Sequence, residues 1–445
     1  MPWYGWYLVV LVVAAIVTAA AAAPAAWLSR RVGYVDYPSE RRVHTRATPF
    51  GGGVAMFAGF CVAVMVAALV PSLRSTFAGS SEPLGVVLAA AAIFAVGLID
   101  DVRDMSAPAK MAGQVLAASL LYFMGDTLYW FKVPLAGVLA LTPGVVPLIT
   151  ALWVIAITNA VNLIDGLDGL AAGVVAIGGG ALAIYGLRLM QTGIIPQSNI
   201  GPLVAVIACG VCLGFLPFNF HPAKMFMGDA GALLLGLLMS AATMVIGGRI
   251  PQSSPTTGLT YFFFLPVFIP FFILGVPLVD MAFAFVRRTA KGGSFHTPDK
   301  DHIHHRLLRL GHGHRRSVVI LWAWTALLSG FILFPLFVHQ VNAFIPFGAA
   351  ALGIGLYTFF HPEIRHRGEE EAALAGNGAG AGRAGRAGWA PRVLPGRAAA
   401  GLRTRNGRAR PDGVVGGAVD RAVDRAADGV ADGEAGRPEA PQPGG

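Results

Sequence analysis

The sequence predicts an all-α polytopic membrane protein of about eleven transmembrane helices, with the N-terminus outside, the C-terminus cytoplasmic and a disordered C-terminal tail. Three observations carry this. Of 445 residues, 55% are hydrophobic and only 13% charged, far from the balance of a soluble domain. Apolar runs recur from near residue 4 to near residue 360, parted by short polar connections. After His361 the composition turns to Gly, Ala, Arg and Asp with almost no large apolar side chains, too little to bury a core. The chain therefore divides into an integral membrane domain, 1–360, and a low-complexity cytoplasmic tail, 361–445.

The expected spans lie near 4–28, 51–71, 85–99, 109–125, 145–162, 170–190, 201–217, 230–248, 259–286, 317–337 and 342–360, each close to the roughly 20 residues that a bilayer requires. The first run, Tyr4 to Leu28, has no charged segment before it and reads as a retained helix, not a cleaved signal. Between the fourth and fifth runs, Tyr129 to Leu141 reads as a short hairpin on the outer side. The ninth run contains Pro266, Pro270 and Pro277, which predict a bent or broken helix. That bend is either simply tolerated or opens a lateral groove for a lipid. Cys61, Cys209 and Cys212 all fall inside spans, which argues against a disulfide framework or a zinc site.

With alternating direction, the connections on one side carry Arg30, Arg31, Arg41, Arg42, Arg46, Arg103, Lys110, Lys224 and the basic run from Arg287 to Arg316. The other side offers little beyond Arg74, Lys132, Arg188 and Arg249. Lys and Arg accumulate in cytoplasmic loops, so the first set faces the cytoplasm. The net charge of +9 is thus a record of topology, and no nucleic-acid partner is expected.

Four polar clusters collect on that predicted cytoplasmic side. Asp100-Asp101-Val-Arg103-Asp104 ends the third span. Adjacent carboxylates at a low-dielectric edge repel unless a cation neutralises them, and magnesium prefers oxygen ligands; pairing with Arg103 or Lys110 is the plainer alternative. Asn159, Asn162, Asp165 and Asp168 recur every third residue, one drifting polar stripe if the segment is helical, with Gly166 and Gly169 loosening the backbone. Polar groups at a membrane helix end are costly unless they bind something or face water. Asn219, His221, Lys224, Gly228 and Asp229 precede the eighth span, where a helix N-terminus favours phosphate, or Asp229 serves only as a cap. Finally, His296 to Arg309 contains His302, His304, His305 and Arg306, better suited to phosphate and sugar than to zinc. His312 and His314 are expected at the surface.

Carboxylates, amides, basic residues and histidines on one membrane face suit phosphoryl transfer between a soluble nucleotide and a lipid acceptor. At Leu98-Ile-Asp-Asp-Val-Arg-Asp104, Asn159–Leu170, Met227-Gly-Asp-Ala-Gly231 and His302-Ile-His-His-Arg-Leu307 the chain resembles the polyprenyl-phosphate N-acetylhexosamine-1-phosphate transferase family, and its histidine motif resembles the WecA/TagO branch. The likeness runs from about residue 30 to 360, as four motifs in order. It implies an eleven-helix fold and magnesium-dependent transfer (manganese could substitute) of a sugar 1-phosphate from a UDP-N-acetylhexosamine to polyprenyl phosphate in a bacterial plasma membrane. It also implies roles. Asp229 and Asn162 resemble the metal ligands, and Asp100, Asp101, Asp229 and His302 the catalytic set. Asn159, Asp165, Asp168, His304, His305, Arg306, Lys224 and, less directly, His44 resemble substrate-binding positions. UDP-N-acetylglucosamine is the favoured donor over a UDP-muramoyl-pentapeptide, and a homodimer is allowed for. A transporter is the reading from another class, but its carboxylates belong near the midplane.

Overall fold

The computed structural model describes residues 3–37, 47–133, 137–247, 313–338 and 344–360. Helices dominate, because a backbone in lipid must satisfy its own hydrogen bonds locally. In chain order they are α1 (Gly5–Arg31), α2 (Gly52–Leu69), the single turn α3 (Arg74–Phe77), α4 (Glu82–Arg103), α5 (Ala107–Met124), α6 (Val146–Ile164), α7 (Leu170–Gln191), α8 (Gly201–Asn219), α9 (Gly228–Gly247), α10 (His314–Phe337) and α11 (Phe344–Phe360). Ten of the expected spans thus coincide with helices, and eight of these are long and apolar enough to cross a membrane. α5 is not among the eight: it carries Lys110, which belongs to the site below, and Gln114, which pairs with Asn159 of α6. The run at 259–286, with its three prolines, lies outside the described residues, as does the tail. The expected hairpin is present as β3 (Trp130–Val133) paired antiparallel with β4 (Gly137–Ala140), Trp130 opposite Ala140. Two short strands precede it: β1 (Val35–Asp36) and β2 (Thr48–Pro49) pair between α1 and α2.

α9 is the centre of the bundle. From Ala230 to Gly247 every residue is buried, as expected of a helix apolar on all faces. α2, α4, α6, α7 and α8 surround it. The outer helices instead expose large apolar side chains, among them Leu8 and Ile16 on α1 and Leu116 and Phe123 on α5, as a lipid-facing surface does.

Small residues let these helices approach closely. A Cβ on Gly97 of α4 would stand 2.5 Å from the Ala230 Cα of α9, and one on Gly236 of α9 would stand 2.5 Å from the Thr158 Cα of α6. These crossings bring the last turn of α4 and the last turns of α6 against the first turn of α9. The segment leading into α2 is stitched to the same place: Phe226 N–H donates to the Pro49 carbonyl at 3.0 Å, and the Gly52 and Gly53 amides donate to Phe226 and Met227 carbonyls at 3.0 and 2.9 Å.

The expected stripe from Asn159 to Asp168 is only half a stripe. α6 ends at Ile164, Asp165 follows as its C-cap, and Gly169, in the left-handed region at φ 79°, starts α7. The chain turns between them, so Asn159 and Asn162 share a helix while Asp168 points elsewhere.

Candidate active site

α9 begins with amides that need acceptors, as every helix does. Those of Asp229 and Ala230 donate to the two oxygens of Asp101, at 2.7 and 3.0 Å. The N-terminus that the sequence reserved for a phosphate is therefore filled by a carboxylate from α4, which also suits the positive end of the helix dipole. Asp229 does not cap its own helix. Gly228 adopts φ 66°, and a Cβ there would meet the Asp101 carboxylate at 2.5 Å, so the glycine is needed for the approach. Tyr34, between α1 and β1, hydrogen-bonds Asp101; burial first, then the Asp101 charge, pushes its phenol well above the ordinary range, which keeps it a donor.

Asp100, one residue earlier, faces another partner. Its Oδ1 accepts the Met105 amide at 2.7 Å and its Oδ2 lies 2.8 Å from the Lys110 ammonium. Lys110 also contacts the Asp229 Oδ2, and the Asn162 amide donates to the Asp229 Oδ1 at 2.7 Å. Lys110 thus bridges the carboxylates of α4 and α9. Asp165, the C-cap of α6, lies within reach of this group's charges. Burial first, then the charges of Asp229, Asp101 and Asp168, pushes its carboxyl well above the usual carboxylate range. Four carboxylates meet a single ammonium among the described residues, an excess of negative charge that favours a further cation.

Asn159 points the other way along α6. Its amide nitrogen donates to the Gln114 Oε1 at 2.8 Å and to the Ile155 carbonyl at 2.7 Å, making a half-buried amide pair between α5 and α6.

A second polar group gathers around Asp168. Its Oδ2 lies 2.7 Å from His221 Nδ1, accepts the Ala223 amide at 3.1 Å, and stands 4.0 Å from His314 Nε2. The two imidazoles stack with centroids 4.1 Å apart. Arg315 Nε donates to the His221 carbonyl at 3.0 Å, and Asn219 accepts the Gly169 amide at 3.0 Å, so the turn after α6, the loop after α8 and the start of α10 are tied together. His314 corrects the expectation of a surface residue: its side chain is only 11% exposed. The reason is position, since it opens α10 where that helix packs on α7.

The site thus joins Asp100, Asp101, Asn162, Asp165 and Asp229, as the motifs suggested, shows the pairing of Asp100 with Lys110 that was the plainer alternative for the acidic motif, and adds Tyr34, which no motif indicated. Lys224 is exposed and, among the described residues, engages through its backbone, donating to the Phe218 carbonyl at 2.8 Å. His44, His302, His304, His305, Arg306 and His312 lie outside the described residues.

Apolar helices enclosing an acid-rich cluster at one end define a multi-pass membrane protein with its site where the bundle meets water. Residues 83–247, which hold nearly all of that cluster, match the family model described as glycosyl transferase family 4. The chain is similar to the decaprenyl-phosphate N-acetylglucosaminephosphotransferases of Mycobacterium tuberculosis (strain H37Rv), 40% identical over 69% of this chain and 76% of that protein, and of Mycobacterium leprae, 39% identical over 73% and 82%. It is also similar to the undecaprenyl-phosphate alpha-N-acetylglucosaminyl 1-phosphate transferase of Escherichia coli K12, 27% identical over 75% of this chain and 84% of that one. The chain belongs to glycosyl transferase family 4.

Proposed function

We propose that this protein transfers N-acetylglucosamine 1-phosphate from UDP-N-acetylglucosamine to a polyprenyl phosphate, releasing UMP. The relatives bear names for this reaction with decaprenyl or undecaprenyl phosphate. The observation that carries it is the group formed by Asp100, Asp229, Asn162 and Lys110 at one end of an apolar bundle. A charged donor reaches such a site from water and a lipid phosphate reaches it from the bilayer.

The residues fit magnesium. Asp229 and Asp100 supply hard oxygen ligands, and Asn162 presents its amide oxygen when the side chain is turned over. The Lys110 ammonium stands where a cation is favoured. When bound, the ion neutralises diphosphate oxygens and so favours departure of UMP. In the reaction a lipid phosphate oxygen bonds to the sugar-bearing phosphorus as the bond from that phosphorus to UMP breaks. The lipid phosphate is already ionised, so no residue need remove a proton. Asp101 serves as a positioning residue, because both of its oxygens hold the first turn of α9. Asp165 and the histidine motif at 302–305 are assigned to the donor, and the positive-inside asymmetry assigns the site to the cytoplasmic face. Residues 361–445 take no part in catalysis on this reading.

The test uses purified protein in detergent with polyprenyl phosphate, magnesium and radiolabelled UDP-N-acetylglucosamine. Label should enter a lipid-extractable product with release of UMP, and chelator should abolish both. Folded protein that moves no label from this donor, but does from a UDP-muramoyl-pentapeptide, would reassign the donor. Failure with every UDP-sugar would sink the reaction.

A further inference from the structure

We propose that Tyr34 is a positioning residue for the transfer: its phenol fixes Asp101, and through Asp101 it sets where Asp229 presents its carboxylate. The proposal rests on the reaction given above and adds to it a residue from outside the acidic motifs. Three donors converge on Asp101. The Asp229 and Ala230 amides reach its two oxygens at 2.7 and 3.0 Å, and the Tyr34 phenol is the third. Burial and the Asp101 charge hold that phenol protonated, so it donates to the carboxylate. Two donors from one helix turn leave a carboxylate free to pivot on them. A third, from a different element, removes that freedom.

Tyr34 is itself held from several directions. Its amide donates to the Ser29 carbonyl at 2.8 Å, and its carbonyl accepts the Phe50 amide at 3.2 Å. Its ring stacks on Phe50, with centroids 5.0 Å apart and planes at 28°. Phe50 in turn packs on Phe226, centroids 6.1 Å apart, just before the start of α9. Tyr34 therefore reaches the first turn of α9 by two routes, through its phenol to Asp101 and through its ring to Phe226. A tyrosine needed for packing alone would use only the second.

The consequence falls on Asp229. Its carboxylate meets Lys110 and Asn162, where a further cation is favoured, while its backbone amide is held by Asp101. An Asp101 that pivots lets the first turn of α9 shift, and the Asp229 side chain shifts with it. Groups that orient a metal ligand from behind contribute about 10–100-fold to metal affinity or activity.

The test compares full-length wild type in detergent with Y34F, which keeps the ring and loses the phenol. The first readout needs no substrate: melting temperature against magnesium concentration, where Y34F should need about 10-fold more magnesium for half of the shift. In the transfer assay its kcat should fall by about 10-fold with the KM for UDP-N-acetylglucosamine unchanged, because the tyrosine acts on the metal ligand and not on the donor. Added to D101A, Y34F should cause no further loss in either readout, since the phenol then has no carboxylate to hold. Y34L, which removes the ring as well, should also lower the melting temperature in chelator, and so separates packing from positioning. A well-folded Y34F with the wild-type magnesium midpoint and kcat would overturn the proposal. So would a lower melting temperature with both of those unchanged, which would make Tyr34 a packing residue only. A wild type that moves no label would reject the reaction instead, and the magnesium midpoints would still decide the role of Tyr34.

Discussion

Asp101 caps the helix that carries Asp229: the Asp229 amide donates to the Asp101 Oδ1 at 2.7 Å across 128 positions of sequence. One carboxylate of the adjacent acidic pair thus builds the site and the other, Asp100, faces it through Lys110. Neighbouring residues on a helix point about 100° apart, so two consecutive aspartates are led to different tasks.

Replacing the cap separates structure from charge. D101A leaves two buried amides without acceptors and should cost about 1–2 kcal/mol, whereas D101N retains one acceptor and should cost less. Thermal unfolding in detergent checks the order; equal melting temperatures for D101A and wild type would remove the capping role.

Asp229 is expected to matter for turnover and little for folding. D229N should lower kcat by about 10²-fold or more while the protein still inserts and purifies, because an anionic ligand and electrostatic stabiliser is lost. Near-normal turnover by D229N would end its assignment as a metal ligand.

Lys110 is the resident cation between Asp100 and Asp229. K110M should therefore melt lower than wild type in chelator, since the carboxylates then repel without compensation. Magnesium should recover more of the loss in K110M than it adds to the wild type. A magnesium shift of the same size in both proteins would show that the lysine and the ion occupy unrelated places.

Asp165 has its carboxyl raised by burial and by neighbouring carboxylates. A carboxyl raised on folding stabilises the folded state fully below its unfolded value of about 3.9, and that contribution is lost as pH rises through the folded value. In chelator, wild type should therefore lose stability relative to D165N as pH rises from acid to neutral. Parallel melting curves of the two proteins against pH would contradict the shift.

The crossing of α4 on α9 sets the distance from Asp101 to the first turn of α9. G97V forces side-chain carbon into the Ala230 backbone, so it should cost about 1–3 kcal/mol and loosen the cap. Additive losses in a G97V and D101A double variant would mean that the two effects are uncoupled; a shortfall is expected.

The membrane class, the helices and the acidic motifs were all legible in the chain. Apolar runs long enough to cross a bilayer become helices because each backbone hydrogen bond closes within four residues, so local composition suffices. Asp100, Asp101, Asn162 and Asp229 stood out because charge and amides at the ends of such runs are rare. Partners were legible only in part. Lys110 was one of two candidates, with Arg103, to pair with the acidic motif, His221 sat in a motif without a role, and His314 was expected at the surface. Each acquires its meaning from a helix end elsewhere in the chain: Lys110 from α4 and α9, His221 and His314 from the turn after α6. Which ends meet is decided by how closely helices pack at Gly97, Gly228 and Gly236, and that depends on shape complementarity between distant segments, for which a local pattern carries no signal.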